Sequence, residues 1–202
     1  MNKTPLAILA AAALIVGGCS HKATYQSIKP MPSGIDLKNL TDATVAASFN
    51  KSDFGDKLTM TVYSEDLYDA VEISRLKAGD TLTYSGKPIV VSKIEKHDNF
   101  ITVNDGIEEG GANLQAAEGG TYRAMQLDDH SVYTKVGKVT LPVAEGVALI
   151  DCRDMPDEPS DTIRTGVADY MRQLSRGDFF NLNTQVRIEG GKVTCVTRKW
   201  IP

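Results

Sequence analysis

Histidine, serine and carboxylate residues are adjacent at Asp128, Asp129, His130 and Ser131. These are the residue types of a catalytic acid, base and nucleophile, but neighbours in sequence rarely form such a set, because its geometry takes each group from a separate element. No nucleophile-elbow or oxyanion motif accompanies them. The stretch is therefore interpreted as a polar turn between strands, and we predict no catalytic residue.

The cysteines Cys152 and Cys195 offer a second kind of chemistry, as nucleophiles or as a disulfide. The turn residues Gly190-Gly191 predict a hairpin that places Cys195 opposite Val186 in the core, where a thiol is usually inert. Cys152 ends an apolar run, so both sulfurs can meet inside the domain. We predict a disulfide between them, with two buried thiols as the alternative.

Glycines and glutamates are concentrated in residues 104–120, which include Gly106, Glu108, Glu109, Gly110 and Gly111. The stretch resembles neither a phosphate-binding loop nor a dinucleotide fingerprint, and its carboxylates would repel phosphate. Long connections of this kind lie on the surface and often carry binding residues. We predict a binding loop here, with a merely long connection as the alternative.

Carboxylates are also concentrated before the predicted helix, at Asp151, Asp154, Asp157, Glu158 and Asp161. An EF-hand needs carboxylates at alternate positions and a central glycine, and this spacing provides neither. Pro156 and Pro159 are typical of a solvated loop. We predict no metal site and no cofactor.

The N-terminus determines where the chain is delivered. Residues 6–16 form an eleven-residue apolar run that ends at Gly17, Gly18 and Cys19. Crossing a bilayer as a helix takes about 20 apolar residues, so this run has the length of a signal peptide instead. The signal peptide is predicted to cover residues 1–18.

The sequence Val16-Gly17-Gly18-Cys19 resembles the lipobox of bacterial lipoproteins. The resemblance implies cleavage before Cys19, a thioether-linked diacylglycerol on its sulfur and acylation, typically by palmitate, of the new amine. Ser20, in place of the retaining Asp of the enterobacterial sorting rule, implies the outer membrane if the organism has one. An ordinary secretory signal is the alternative.

The mature chain is predicted to contain a tether and one domain. Residues 19–41 combine Pro30, Pro32 and Gly34 with few apolar residues, which predicts a lipidated flexible tether with a span of roughly 25 Å. Residues 42–202 are predicted to form a single β-rich domain. Removal of residues 1–18 leaves 184 residues and, because Lys3 is their only charge, changes the net charge from −4 to −5. An acidic chain without a basic stripe is not predicted to bind nucleic acid.

Short apolar runs separated by turn residues predict a mainly β fold, an antiparallel barrel or sandwich. The runs are residues 45–49, 58–63, 81–84, 89–94, 100–103, 133–136, 138–141 and 147–150. One helix is predicted over residues 160–176, because apolar residues recur there at helical spacing before Gly177. The chain is predicted to end in a hairpin in which Glu189 faces Lys192.

These features predict a lipid-anchored cell-envelope protein whose β-rich domain binds an envelope protein or a glycan without catalysis. One alternative is an envelope hydrolase that uses His97 or His130. Another is a structural lipoprotein of an envelope assembly. The predicted membrane contact is the lipid at Cys19.

Cys19→Ser should abolish lipidation, because the thioether needs the sulfur. We expect wild-type cells to incorporate labelled palmitate into the protein and the variant to accumulate as an unlipidated precursor, measured by autoradiography of the purified chain. A wild-type chain that never takes up label would contradict the lipobox assignment.

Overall fold

The structure is a computed structural model that describes residues 24–153, 157–174 and 179–201. It is mainly β, as the sequence predicts. The strands are β1 (Ser27–Ile28), β2 (Ala43–Ser48), β3 (Lys57–Glu65), β4 (Leu67–Asp69), β5 (Thr81–Tyr84), β6 (Lys87–Val90), β7 (Ile94–His97), β8 (Phe100–Val103), β9 (Ala112–Ala117), β10 (Thr121–Met125), β11 (Tyr133–Asp151), β12 (Asp161–Ile163), β13 (Thr184–Glu189) and β14 (Lys192–Arg198). The helices are α1 (Ala70–Ser74) and α2 (Val167–Gln173). No helix among the described residues is long and apolar enough to cross a membrane.

Five strands form a closed ring. β3 pairs with β2 on one side and with β11 on the other, and β13 and β14 complete the circle between β2 and β11. β12 extends β11 at the edge of this ring. All pairs in the ring are antiparallel except β11 with β14, which is parallel. The ring is therefore a small barrel with one parallel pair.

The ring encloses the first hydrophobic core. Leu58, Met60 and Val62 on β3 are fully buried while Thr59 and Thr61 are partly exposed, which confirms the alternation seen in the sequence. They pack with apolar residues of the other ring strands and of α2, including Val186 and Met171. Side chains fill the inside of the ring.

The chain between β3 and β11 forms a second unit, called here the insert (residues 66–132). Glu65 and Tyr133, the residues on either side of it, face each other in the β3–β11 pairing. The insert contains a five-stranded sheet in the order β4-β10-β9-β8-β7, and β5 with β6. β1 joins β5 in parallel and completes a three-stranded sheet. The two sheets share a second core, built on residues such as Tyr68, Leu82 and Leu114.

The N-terminal segment differs from the predicted tether. Ile28 and Leu40, which lie within the 19–41 range, are only 2% and 8% exposed, and each enters one of the two cores. The Met31 amide donates to the Leu67 carbonyl at 2.7 Å. Isolated apolar residues give no periodic signal, so their burial could be decided only by the folded domain. Residues 19–23 lie outside the described residues.

The helix prediction was wrong at its start. Asp161–Ile163 is a strand whose backbone pairs with Leu149 to Asp151 of β11, and α2 begins only after Gly166. The apolar spacing of residues 167–171 is helical, but Ile163 belongs to the edge strand β12. The predicted stop at Gly177 lies outside the described residues. The short helix α1, which Asp69 caps by accepting from the Val71 and Glu72 amides, was not predicted.

Two other strand predictions changed in detail. Residues 133–136, 138–141 and 147–150 belong to one long strand, β11. The predicted run 89–94 is divided between β6 and β7, so β8 pairs with Ile94–His97. Turn residues mark where a chain can bend but do not require it to bend there.

The final hairpin was predicted correctly, but its register shifts beyond the turn. Glu189 faces Lys192 as predicted, whereas Cys195 lies opposite Arg187 rather than Val186. A β-bulge adds one residue to β14, which changes the face of every later side chain. Cys195 is still 2% exposed, but it lies on the face away from the ring core.

Cys152 and Cys195 form no disulfide with each other, contrary to the prediction. In the parallel pairing Cys195 lies opposite Ala148 of β11. Ala148 precedes Cys152 by four residues, and Cys152 directly follows the end of β11. Four residues of strand span about 13 Å, whereas the Cα atoms of a disulfide are within about 7 Å. Both cysteines are buried, and the Cys152 thiol donates to the Arg153 carbonyl.

A buried ion pair ties β11 to β14. The Arg198 Nε donates to Asp151 Oδ1 at 2.5 Å, and the two side chains are 4% and 0% exposed. The Tyr170 hydroxyl on α2 donates to the other Asp151 oxygen at 3.1 Å. The Arg198 guanidinium also lies over the ring of Phe179 at 5.9 Å. The pair therefore joins strands and helix at one end of the ring.

Arg198→Met should be strongly destabilising, because it leaves the Asp151 charge buried without its cation. We expect the free energy of unfolding to fall by about 3–5 kcal/mol, measured by urea denaturation. The control is Arg172→Met, which removes an exposed ion pair with Asp169 and should cost less than about 1 kcal/mol. Equal effects of the two variants would contradict this role.

Candidate binding groove

A groove of about 530 Å³ lies where the insert meets the ring. Its walls come from the β5–β6 hairpin, the glycine-rich loop, the segment that leads into β11 and the loop before β13. The lining residues are Tyr84, Ser85, Lys87, Pro88, Ile89, Ile107, Gly110, Gly111, Gln126, Val132, Tyr133 and Asn181. Ligand sites have this form, an apolar surface with a few polar groups.

Tyr84 contributes a largely buried side chain to this groove. It ends β5 opposite Lys87, across a two-residue turn in which Ser85 and Gly86 both have positive φ. The side chain is 7% exposed and packs in the second core. Burial and, to a smaller extent, the negative charge of Asp66 raise the pKa of Tyr84 to about 12, against the opposing effect of the Asn113 backbone amide. The hydroxyl is therefore protonated at neutral pH.

Amide and cationic side chains supply the remaining polarity. The Gln126 amide nitrogen donates to the Ser131 carbonyl at 2.8 Å, and its oxygen has no partner among the described residues. Asn181 lines the groove from the loop before β13, and Lys87 adds one positive charge. None of the lining residues is a carboxylate. The groove thus suits a neutral or anionic group that accepts and donates hydrogen bonds.

The predicted binding loop is partly placed at this groove. Gly110 and Gly111 line it, whereas Glu108 and Glu109 are exposed outside its lining and Gly106 is buried. The predicted long connection is also shorter than expected, since β9 and β10 occupy much of residues 112–125. The alanines of β9 give little strand signal, which explains why this strand was missed.

Close packing requires glycine at position 111. A Cβ there would lie 1.9 Å from the Val103 carbonyl oxygen. The loop closes on itself, because the Gly111 amide donates to the Gly106 carbonyl at 2.8 Å and the Gly106 amide donates to Val103 at 3.1 Å. This wall of the groove is therefore a fixed turn and not an open loop.

A second cavity, of about 350 Å³, lies between the N-terminal segment and the start of the insert. Lys29, Pro30, Thr83 and Lys135 line it together with Asp66. Asp66 is 2% exposed, and its Oδ2 has no partner among the described residues. Burial raises the pKa of Asp66, and a hydrogen bond with the Thr134 side chain opposes that rise.

A polar network holds the ring and the insert together between these cavities. The Ser131 hydroxyl donates to Glu65 Oε1 at 2.5 Å, and Arg123 donates to the Ser131 oxygen at 2.9 Å. Arg123 Nε also donates to Gln115 at 2.9 Å. Ser131 is thus bonded to a carboxylate and a guanidinium and not to the adjacent His130. The interpretation of residues 128–131 as a polar turn is consistent with this geometry.

The two histidines of the hydrolase alternative are not brought together. His97 is at the exposed end of edge strand β7, and His130 follows β10, on the other side of β8 and β9. Neither lines the groove or the second cavity.

The described carboxylates of the loop before α2 (residues 151–161) have different partners. Arg153 binds Glu158 and Asp161, and Asp151 belongs to the buried ion pair. No group of metal-ligating side chains is present among the described residues. Asp154 lies outside them.

No protein-family model matches this chain, and no curated protein or solved structure is significantly similar to it.

Sequence reasoning missed most of the groove. Tyr84, Gln126, Tyr133 and Asn181 come from distant positions and share no motif. Only the clustered glycines gave a signal in the sequence.

Asp66→Asn should stabilise the protein at neutral pH. The folded-state pKa of Asp66 is raised above its unfolded value of about 4. At neutral pH the folded wild type therefore carries a charge that burial disfavours. The advantage of the variant should disappear as the pH falls below about 4, where the wild-type carboxyl is protonated in both states. Urea unfolding across this range measures the difference, with exposed Asp98→Asn as control. An advantage that grows on acidification would contradict the assignment.

Proposed function

We propose that this chain is a lipid-anchored protein of the bacterial cell envelope whose β-rich domain binds an envelope protein or a glycan in the groove. The observation that carries the proposal is the lining of the groove, which sets Tyr84, Gln126 and Asn181 among apolar residues and contains no carboxylate. Ligand sites typically combine apolar surface with a few polar groups in this way, and this favours binding over a purely structural role.

The mixture of groups in the groove supports a partner that is both polar and apolar. Ile89, Pro88 and the tyrosine rings offer apolar surface, and Gln126 and Asn181 offer amides that donate and accept. Sugar rings and peptide segments both present C–H surface beside hydroxyl or amide groups, so both fit this chemistry. The acidic net charge of −4 and the lack of a basic stripe argue against nucleic acid as the partner.

The separation of candidate catalytic groups supports binding over hydrolysis. Ser131 is bonded to Glu65 and Arg123, and His97 lies away from both cavities. A nucleophile and a base within hydrogen-bond reach are the usual mark of such an enzyme. No such pair lines the groove.

Delivery to the membrane is the part of the proposal that rests on sequence. The lipobox-like Val16 to Cys19 segment supports lipidation of Cys19, and Ser20 supports the outer membrane as the destination. Two or three acyl chains would hold the protein effectively permanently.

Photo-cross-linking in intact cells tests binding at the groove. A photo-reactive amino acid in place of Lys87 should capture a partner, whereas the same group in place of Lys192, exposed on the final hairpin, should not. Adding Asn181→Ala, which removes an amide from the groove lining, should lower the yield roughly 2- to 10-fold through loss of one hydrogen bond. Protease and glycan hydrolase digestion of the product then distinguish a protein from a glycan.

A His97→Ala, His130→Ala double variant separates binding from catalysis. We expect it to retain the cross-linked partner. Equal capture from both probe positions would contradict the groove, and loss of a cellular phenotype in the histidine variant without any partner would favour the hydrolase.

A further inference from the structure

The N-terminal segment is fastened to the insert close to the predicted lipid. The Gln26 amide donates to Asp80 Oδ1 at 3.0 Å, and its side chain donates to Asp80 Oδ2 at 3.2 Å and to the Arg75 carbonyl at 3.3 Å. Lys77 supplies a further amide to Asp80 at 3.0 Å. Burial alone would raise the pKa of Asp80, but these bonds stabilise the charged carboxylate and together lower that pKa. The position of Gln26 is therefore fixed by the fold.

The length of chain before this point limits how far the domain can lie from the bilayer. Seven residue steps separate Cys19 from Gln26, and a fully extended chain covers at most about 25 Å over that length. A flexible one averages roughly 15 Å. A compact domain of this size has a radius of gyration of about 16 Å, so only the side around Gln26 can reach the membrane.

The surface at this point has the composition of a lipid contact. We call it the attachment face and define it by Tyr25, Ser27, Arg75, Lys77 and Val90. Ser27 and Val90 lie in one row of the three-stranded sheet, across Thr81, on the side away from the core. Tyr25 and Val90 are 59% and 67% exposed, although both are large and apolar.

The side chains of the attachment face are of the types that contact bilayer surfaces. The Tyr25 ring lies directly over Gly79, where a Cβ would come within 2.0 Å of it. Tyrosine is enriched at membrane interfaces. Exposed Arg75 and Lys77 can bind anionic headgroups. Glu72, on α1, is the acidic neighbour of these cations along the chain.

We propose that the attachment face rests on the lipid surface to which the chain is anchored, so that the bilayer fixes the orientation of the domain. This inference depends on the proposed lipidation of Cys19. The length of the connecting chain and the charge of the face select the bilayer as the occupant rather than a second protein.

Lipid quenching of tryptophan tests the contact on the full-length lipidated protein. The chain has one tryptophan, so a Trp200→Phe background has no tryptophan emission. Each probe is then added to this background by itself. Val90→Trp places the probe on the attachment face. The matched control is Thr140→Trp, also an exposed β-branched strand position, seven residues or about 23 Å along β11 from the insert.

In vesicles of phosphatidylethanolamine and phosphatidylglycerol with brominated acyl chains, the Val90→Trp protein should lose emission relative to unbrominated vesicles. The Thr140→Trp protein should not. Arg75→Gln with Lys77→Gln should weaken the contact about fivefold per cation, seen as recovery of the Val90→Trp emission.

Equal emission of the Val90→Trp protein in both vesicles, or equal loss from both probe positions, would overturn the inference. Flotation of the wild type with the vesicles and its palmitate label are checked on the same sample. A chain that neither floats nor takes up label overturns the proposed anchoring and this inference together. A chain that floats without selective quenching overturns the orientation alone.

Discussion

The pairing of β3 on both of its edges is the constraint on which the rest of the structure depends. Because β3 meets β2 on one side and β11 on the other, the sheet closes and its apolar face becomes an interior. The same pairing brings Glu65 opposite Tyr133, so the 67 residues between them must leave and return at one place. The insert therefore folds as a unit with its own core at the rim of the ring.

The junction of the two units concentrates the polar groups that a stable fold would otherwise avoid burying. Asp66 is buried beside one cavity and Tyr84 beside the other. The Glu65, Ser131 and Arg123 network fixes the two units to each other. Burial of a polar group costs stability unless it is paired, so the hydrogen bonds of this network help to offset the cost of closing the junction.

The N-terminal strand connects the chain that follows the predicted lipidation site to the hairpin that lines the groove. The Asp80 carboxylate accepts a hydrogen bond from the Gln26 amide, β1 pairs with β5, and β5 pairs with β6. On β6 the side chain of Ile89 faces the core and the groove, whereas Val90 points to the opposite side. The proposed attachment face and the groove therefore lie on opposite sides of one strand, β6.

The sequence by itself determined the β-rich class, the buried face of β3 and the final turn at Gly190-Gly191, because these depend on neighbouring residues alone. Period-two alternation reports which side chains are buried but not which strand pairs with which. The closure of the ring, the bulge that turns Cys195 away from the core and the packing of Ile28 were decided by contacts between distant segments. The groove is of the same kind: its glycines were visible in the sequence, but Tyr84 and Asn181 line one groove only because the insert folds back onto the ring.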